Sequence, residues 1–407
     1  MSTAARSPVR RVPEPSYPNF PKAEIDERCR RARAAMERDG IDLLLLTERE
    51  NVVYFSGLSS MAWVQKGVVP AVVLVAVDED EPTMVLPDFW LGTAEKTTWL
   101  DDFVLHRASH SNPDDFANLV AEVVRGRGYG GRRIGFEAGH EMLLGLPIGQ
   151  WETLRRALAD ATWVNAGDTI WDVRMIKSER EIDRLRRAAV ATNRAQEQLR
   201  GYLRLGMSEL EAGAFLRRAM IQDDAGEEDR LFLNFRAGRD RYSMTDTYPK
   251  DRPIGRGDLL VVDAGIVLDG YSSDTARVIA IGEPSELHAS VYRTVVEARR
   301  RALELLKPGV LASELYRAVR GAFDEAGLPA HIDMVGHGIG LDVHEPPMLS
   351  PANDTPIEEN MVLCIEPWVT LPNDQGVLVI EDTFAVRPGG YEELTLPHAG
   401  ELWVAAR

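Results

Sequence analysis

The chain is short of several things, and each shortage excludes something. Cysteine occurs twice in 407 residues, at Cys29 and Cys364. Two are too few for a disulfide framework or a thiolate zinc site, and the scarcity fits a reducing compartment. Long hydrophobic runs are missing: residues 68–77 form the longest strongly apolar stretch, with a proline inside, against the ~20 residues of a membrane-spanning helix. The opening MSTAARSPVRRVPEPSYPNFP carries Arg6, Arg10 and Arg11 but no apolar signal core. The expectation is a soluble cytoplasmic protein with an extended N-terminal arm over residues 1–23. Positive charge is also in deficit, with 47 Lys+Arg against 64 Asp+Glu and a formal net charge of −17. That balance argues against nucleic-acid partners, which need a basic face, and against an anionic membrane surface. No glycine-rich loop follows the N-terminal strand runs, so no nucleotide site is indicated there.

What is present reads as an ordinary globular chain, 44% apolar and 27% charged, long enough for two or three domains. Residues 24–39 are an amphipathic helix closed by Gly40. IDLLLLTE is a buried strand run, NVVYFSGL follows it, and VVPAVVLVAV and PTMVLP are further strands. Residues 113–127 read as a helix and RRIGFE as a strand, which together describe an α/β domain to about residue 170. Ser178 with Glu181, and Ser208 with Glu211, are capping-box signals for two helices. Strands and turns over residues 231–283 follow, then helices near 287–306 and 313–326, then strands again. The repeated order of two helices and then strands hints at an internal duplication.

Acidic residues inside apolar runs carry the chemistry. In LLVVDAGIVLDGYSSDTARVI, Asp269-Gly270 is a two-residue hairpin signal. That turn makes paired residue numbers sum to 539, so Asp263 faces Ala276. Asp263 and Asp274 then project from one face as diagonal neighbours, roughly 7–8 Å apart at the backbone. MVLCIEPWV and GVLVIEDTFAV each place a glutamate, Glu366 or Glu381, in an apolar strand, which is rare unless the charge is paired or on a metal. GHGIGLDVHEPP adds His337 and His344. Their spacing is not helical metal spacing, which favours one metal ligand and one hydrogen-bonding histidine. No buried lysine or arginine is expected to match these acids. Carboxylates with one imidazole suit Mn, Fe, Co or Zn, and four bridging-capable carboxylates suit two ions about 3.5–4 Å apart. Such a pair activates water, and the chemistry is hydrolysis.

With these residues in place, the sequence resembles the pita-bread metallohydrolases: methionine aminopeptidase, aminopeptidase P, prolidase and their creatinase-like relatives. The resemblance rests on D-x10-D, G-H-G-I-G-x-x-x-H-E-x-P, I-E-P and I-E-D. It implies an α/β creatinase-type N-terminal domain (24–170) and an α+β pita-bread catalytic domain (175–407). It further implies metal ligands Asp263, Asp274, His337, Glu366 and Glu381 for two divalent ions, manganese first, with cobalt, iron or zinc as alternatives. Glu366 is then also the acid/base, and His344 steadies substrate and intermediate. The implied activity is cleavage of a C–N bond in a small peptide or small-molecule amide, of the Xaa-Pro aminopeptidase or dipeptidase type. A homodimer is implied too, with Trp63, Gln65 and Trp90 as candidates to close the pocket.

The sequence also departs from that pattern. DTYP places Asp246 where proline-specific branches carry a histidine, DMVGHG places Asp333 at a second histidine, and VIED places Val379 at an arginine. An arginine on a substrate carboxylate is a charge-assisted, specific contact; without it, and with two added acids, the pocket would favour an amine, guanidine or other cationic group. Alternatively Asp246 and Asp333 pair with Arg239 or Arg241, or His331 takes over one role. Arg277 is expected to support a carboxylate and Cys364 to be a small buried filler. Two other readings stay open: a creatinase-, ectoine-hydrolase- or lyase-like enzyme on a small non-peptide substrate, and a catalytically silent binding protein.

Overall fold

The computed structural model describes residues 14–65, 71–107, 114–222, 231–329 and 333–405. His331, most of the arm and the side chain of Gln65 lie outside the described residues. The chain divides into two compact units, Met1–Arg174 and Met175–Arg407.

The first unit opens with helix Lys22–Asp39, ended by Gly40 at φ 66, the left-handed C-terminal position that glycine adopts without strain. Its six-stranded sheet runs, in spatial order, Asp102–His106, Thr83–Pro87, Val72–Ala76, Leu43–Leu46, Arg133–Phe136 and Thr162–Asn165. All four leucines of Leu43–Leu46 are buried, as a strand covered on both faces requires. NVVYFSGL is not a strand. It lies in helix Arg49–Ser56, closed by Gly57 at φ 75, because a short apolar run carries no period that separates strand from helix. A residue far along the chain anchors that helix: buried Glu137 accepts from the backbone N–H of Thr47 at 2.8 Å and of Glu48 at 3.0 Å.

The second unit begins with helices Glu179–Tyr202 and Glu209–Gln222, and both capping boxes form. Helices Glu286–Leu305 and Ala312–Glu325 follow later. One four-stranded sheet has the order Trp403–Ala405, Thr275–Ile281, Leu259–Gly265, Phe232–Ala237. A second has the order Gly336–Gly338, Val362–Ile365, Asp382–Arg387, Gly390–Glu393. Trp368–Leu371 and Gly376–Val379 form a separate pair, Trp368 opposite Val379.

The period of two along a strand decides which side chains meet. Leu260, Val262 and Ala264 enter the core shared with the first helix pair. Leu259 and Val261, with Ala276, Val278 and Ala280 opposite, enter the core shared with the second pair. Asp263 and Asp274 continue this second series to the end of the sheet. The hairpin has the anticipated register, with Asp263 opposite Ala276 and Leu268 opposite Tyr271. Asp269 at φ 49 and Gly270 at φ 89 are the two left-handed residues of a type I′ turn.

Candidate metal centre

Five side chains from different strands converge. His337 Nε2 lies 3.6 Å from Asp274 Oδ2, 3.5 Å from Glu366 Oε1 and 3.6 Å from Glu381 Oε1. Ligand atoms of Asp263, Asp274 and Glu381 lie within 4.8 Å of one another. His337 comes from the edge strand Gly336–Gly338, Glu366 follows strand Val362–Ile365, and Glu381 immediately precedes strand Asp382–Arg387. His337 is fully buried, and its Nδ1 is 2.9 Å from the carbonyl of Gly338. That contact assigns the proton to Nδ1 and leaves Nε2 as a lone-pair donor facing the carboxylates.

The electrostatics of this cluster require that its carboxylates be neutralised, by protons or by a bound cation. Burial, followed by the charges of Glu381, Asp263 and Glu366, pushes the carboxyl of Asp274 well up. Burial and then Asp263 do the same to Glu381, and burial and then Glu381 push Glu366 up to about 8. Asp274 Oδ1, Glu366 Oε1, Glu381 Oε1 and His337 Nε2 are buried with no hydrogen-bond partner among the described residues. Buried polar atoms are ordinarily satisfied, and like charges this close cannot all ionise alone. Orphaned oxygens around one imidazole nitrogen fit divalent metal.

His344 is nearer to the centre than its sequence spacing implied. Its ring centroid is 4.2 Å from that of His337, and a ligand atom of each histidine lies within 4.8 Å of the other and of Asp274. His344 is exposed as a residue, yet enclosure of its ring, the largest cause, holds it down to about 4, a neutral imidazole. Cys364 is buried as expected, opposite His337, with Sγ 3.6 Å from Thr383 Oγ1; its sulfur also falls within 4.8 Å of His337 and Glu381 ligand atoms.

Asp246 and Asp333 are both exposed. Asp246 sits at φ 49, and its charge reaches the centre, raising Glu366 and Asp263. Asp333 accepts from the hydroxyl of Tyr316 at 3.4 Å. Arg241 is instead committed to Glu209 and Thr247; among the described residues neither aspartate pairs with it or with Arg239. Trp63 and Trp90 lie in the first unit with ring centroids 6.4 Å apart.

Buried cations lie around the acids, namely Lys177, Arg236, Arg241 and Arg277, but each is matched to a partner outside the cluster. Arg277 donates to the carbonyl of Glu381 at 2.6 Å and pairs with Asp382, which Arg299 meets at 2.7 Å. Lys177 pairs with Glu345. Arg236 donates at 2.8 Å to Asn234 Oδ1, and Asn234 Nδ2 donates to Asp263 Oδ2 at 3.0 Å. The available signal was the alternation in LNFRA, which places 234 and 236 on one face of a buried strand.

A buried carboxylate–imidazole cluster at the ends of paired sheets, with orphaned ligand atoms, defines a metallohydrolase of the pita-bread fold. Residues 183–388 match the profile of metallopeptidase family M24, and residues 28–176 match the creatinase/prolidase N-terminal domain. The chain belongs to metallopeptidase family M24 and is a hydrolase. It is 29% identical over 374 residues to an Xaa-Pro dipeptidase of Pyrococcus horikoshii, covering 91% of this chain and 97% of that protein. Among solved structures it is similar to the Xaa-Pro dipeptidase from Bacillus anthracis (TM-score 0.80, 27% identity, 93% of this chain and 99% of that one). It is also similar to dipeptidase PepE from Mycobacterium ulcerans (TM-score 0.80, 27% identity, 95% and 100%). No described helix is long and apolar enough to cross a membrane.

Proposed function

We propose that this protein is a dinuclear-metal-dependent hydrolase of C–N bonds, of the Xaa-Pro dipeptidase or aminopeptidase type, with an altered leaving-group pocket. The observation that carries it is the set of four converging carboxylates, three of them with orphaned oxygens among the described residues, grouped with His337 Nε2. In this reading residues 175–407 are the catalytic domain and 24–170 the creatinase-type domain, in a cytoplasmic homodimer. Asp263, Asp274, His337, Glu366 and Glu381 would hold two divalent ions, manganese first because the donors are mostly hard oxygen. Bound there, the ions supply an activated water and charge stabilisation.

The chain's own groups do the rest. Glu366, whose Oε1 lies 3.5 Å from His337 Nε2 at the cluster, would take a proton from the activated water and pass it to the leaving nitrogen. Neutral His344 donates an N–H toward the carbonyl oxygen of the scissile bond. Asp246, with no counter-charge paired to it among the described residues, attracts a cationic group on the substrate, and Val379 offers no cation for a free carboxylate. Asp333 contributes negative potential from further out.

A substrate panel tests this reading: Xaa-Pro dipeptides, longer Xaa-Pro peptides, and amides with an amine or guanidine on the leaving side, each with Mn, Co, Fe or Zn. Hydrolysis that is lost on chelation and favours the cationic amides supports it. Brisk turnover of free Xaa-Pro dipeptides in preference to them overturns the altered pocket while keeping the hydrolase. One ion bound per chain overturns the dinuclear assignment.

A further inference from the structure

The ligand atoms fall into overlapping sets: Asp263, Asp274 and Glu381 in one, and His337 with Asp274 and His344 in another. Glu366 and Glu381 also approach His337 Nε2. Asp263 therefore belongs to one subsite, and the histidine to the other. Asp263 faces Asn234 directly across the sheet. The amide of Asn234 has a fixed orientation, because its Oδ1 accepts from Arg236 Nη1 at 2.8 Å and from the backbone N–H of Thr247 at 3.3 Å. Its Nδ2 is left to donate to Asp263 Oδ2 at 3.0 Å. Asn234 is 7% exposed and Arg236 0%. The guanidinium of Arg236 lies 5.1 Å from the ring centre of Trp368, and among the described residues it has no carboxylate within ion-pair distance.

A guanidinium bonded straight to Asp263 would compete with a metal ion for the same oxygens. An interposed neutral amide instead takes one oxygen with a single N–H, leaves the other oxygen for an ion, and holds the cation a residue away. Donors behind a ligating carboxylate orient it and typically change metal affinity 10–100-fold.

We propose that Asn234, locked by Arg236, is a positioning residue for one of two cation subsites: it sets the affinity of the ion held by Asp263, Asp274 and Glu381 and leaves the ion at His337 largely unaffected. This rests on the dinuclear reading. The same amide oxygen holds the segment that carries Asp246, so the device also ties that segment to the metal ligand.

The test is calorimetric titration of Mn2+ into metal-stripped full-length protein, comparing wild type with N234A, N234D, R236M and R236K. The expected result is a split. One binding step weakens about 10–100-fold in N234A, the other stays within about 3-fold, R236M shows a smaller loss in the same step, and R236K recovers part of it. The melting temperature of each metal-free variant is measured alongside, since a merely structural role lowers it without separating the two steps. Two steps unchanged in N234A and R236M, or both weakened alike, overturn the proposal. If wild type binds one ion only, the dinuclear reading fails by itself; the positioning role then survives if that single step weakens in N234A and is overturned if it does not.

Discussion

Lys177 Nζ and Glu345 Oε2 lie 3.0 Å apart, with side chains 2% and 1% exposed. The other oxygen of Glu345 accepts from the N–H groups of Leu341 and Asp342 at 3.0 and 3.2 Å, and its own N–H donates to the carbonyl of Gly338 at 2.8 Å. Gly340 closes on the same carboxylate, where an added Cβ would meet Glu345 Oε2 at 2.5 Å. The ion pair therefore fixes the loop between His337 and His344. Removing one partner of a buried pair costs about 3–5 kcal/mol. K177M is expected to lower the unfolding free energy by that amount and to reduce kcat more than it raises KM, because His344 loses its placement. Chemical denaturation and steady-state kinetics on the same preparation check both.

Metal loading should release protons. In the metal-free cluster Glu366 titrates near 8, with Asp274 and Glu381 also raised by burial and mutual repulsion. At pH 7 these carboxyls hold protons that bound cations displace. Calorimetry of Mn2+ binding in buffers of different ionisation enthalpy is expected to show net release of at least about one proton at pH 7 and less at pH 9. The sign for the stripped protein follows: carboxyls raised above their ordinary value contribute most below about pH 4.5, and that contribution is lost as pH rises through about 8. Loaded protein should not show this decline.

Asp246 provides a selectivity test. Its charge is felt at Glu366 and Asp263 with no counter-charge paired to it among the described residues. D246N should lower kcat/KM for substrates with a cationic leaving group by about fivefold, the worth of one exposed, screened charge contact at ~1 kcal/mol. A neutral amide should change much less. Equal losses for both would assign Asp246 to holding its segment in place.

The parts of the fold that are legible in sequence are those set by local periodicity and turn chemistry. The 263/276 register follows from Asp269-Gly270, and the helix starts at Ser178 and Ser208 follow from their capping glutamates. The metal cluster is legible because an acid inside an apolar strand is costly enough to demand a partner. The arrangement behind the cluster is not, since it depends on which strands become neighbours: Asn234 meets Asp263 across one ladder, and Arg277 reaches Glu381 and Asp382 from another sheet. The helix Arg49–Ser56 is hidden for the same reason. Its N-terminal anchor, Glu137, is supplied by a strand about 90 residues away, and non-local partners override a short apolar run.

Outside the centre, His398 should contribute a separable acid sensitivity. Its Nδ1 accepts the backbone N–H of Gly400 at 3.0 Å, which requires the neutral ring, and Nε2 is buried with no hydrogen-bond partner among the described residues. Burial, and then the charge of Arg277, hold it down to about 4; Asp382 opposes this, while Arg299 and Arg200 reinforce it. An imidazole depressed from its ordinary 6.5 contributes stability fully above that value and loses it as pH falls toward 4. Because the ring is only partly enclosed, screening reduces the effect to on the order of 1–2 kcal/mol. The side-chain carbonyl of H398Q can still accept from Gly400 and does not titrate. The expected outcome is a wild-type stability that falls between pH 6.5 and 4 relative to H398Q, measured by urea unfolding of metal-loaded protein. Parallel pH profiles for the two proteins would show that His398 titrates no differently folded than unfolded.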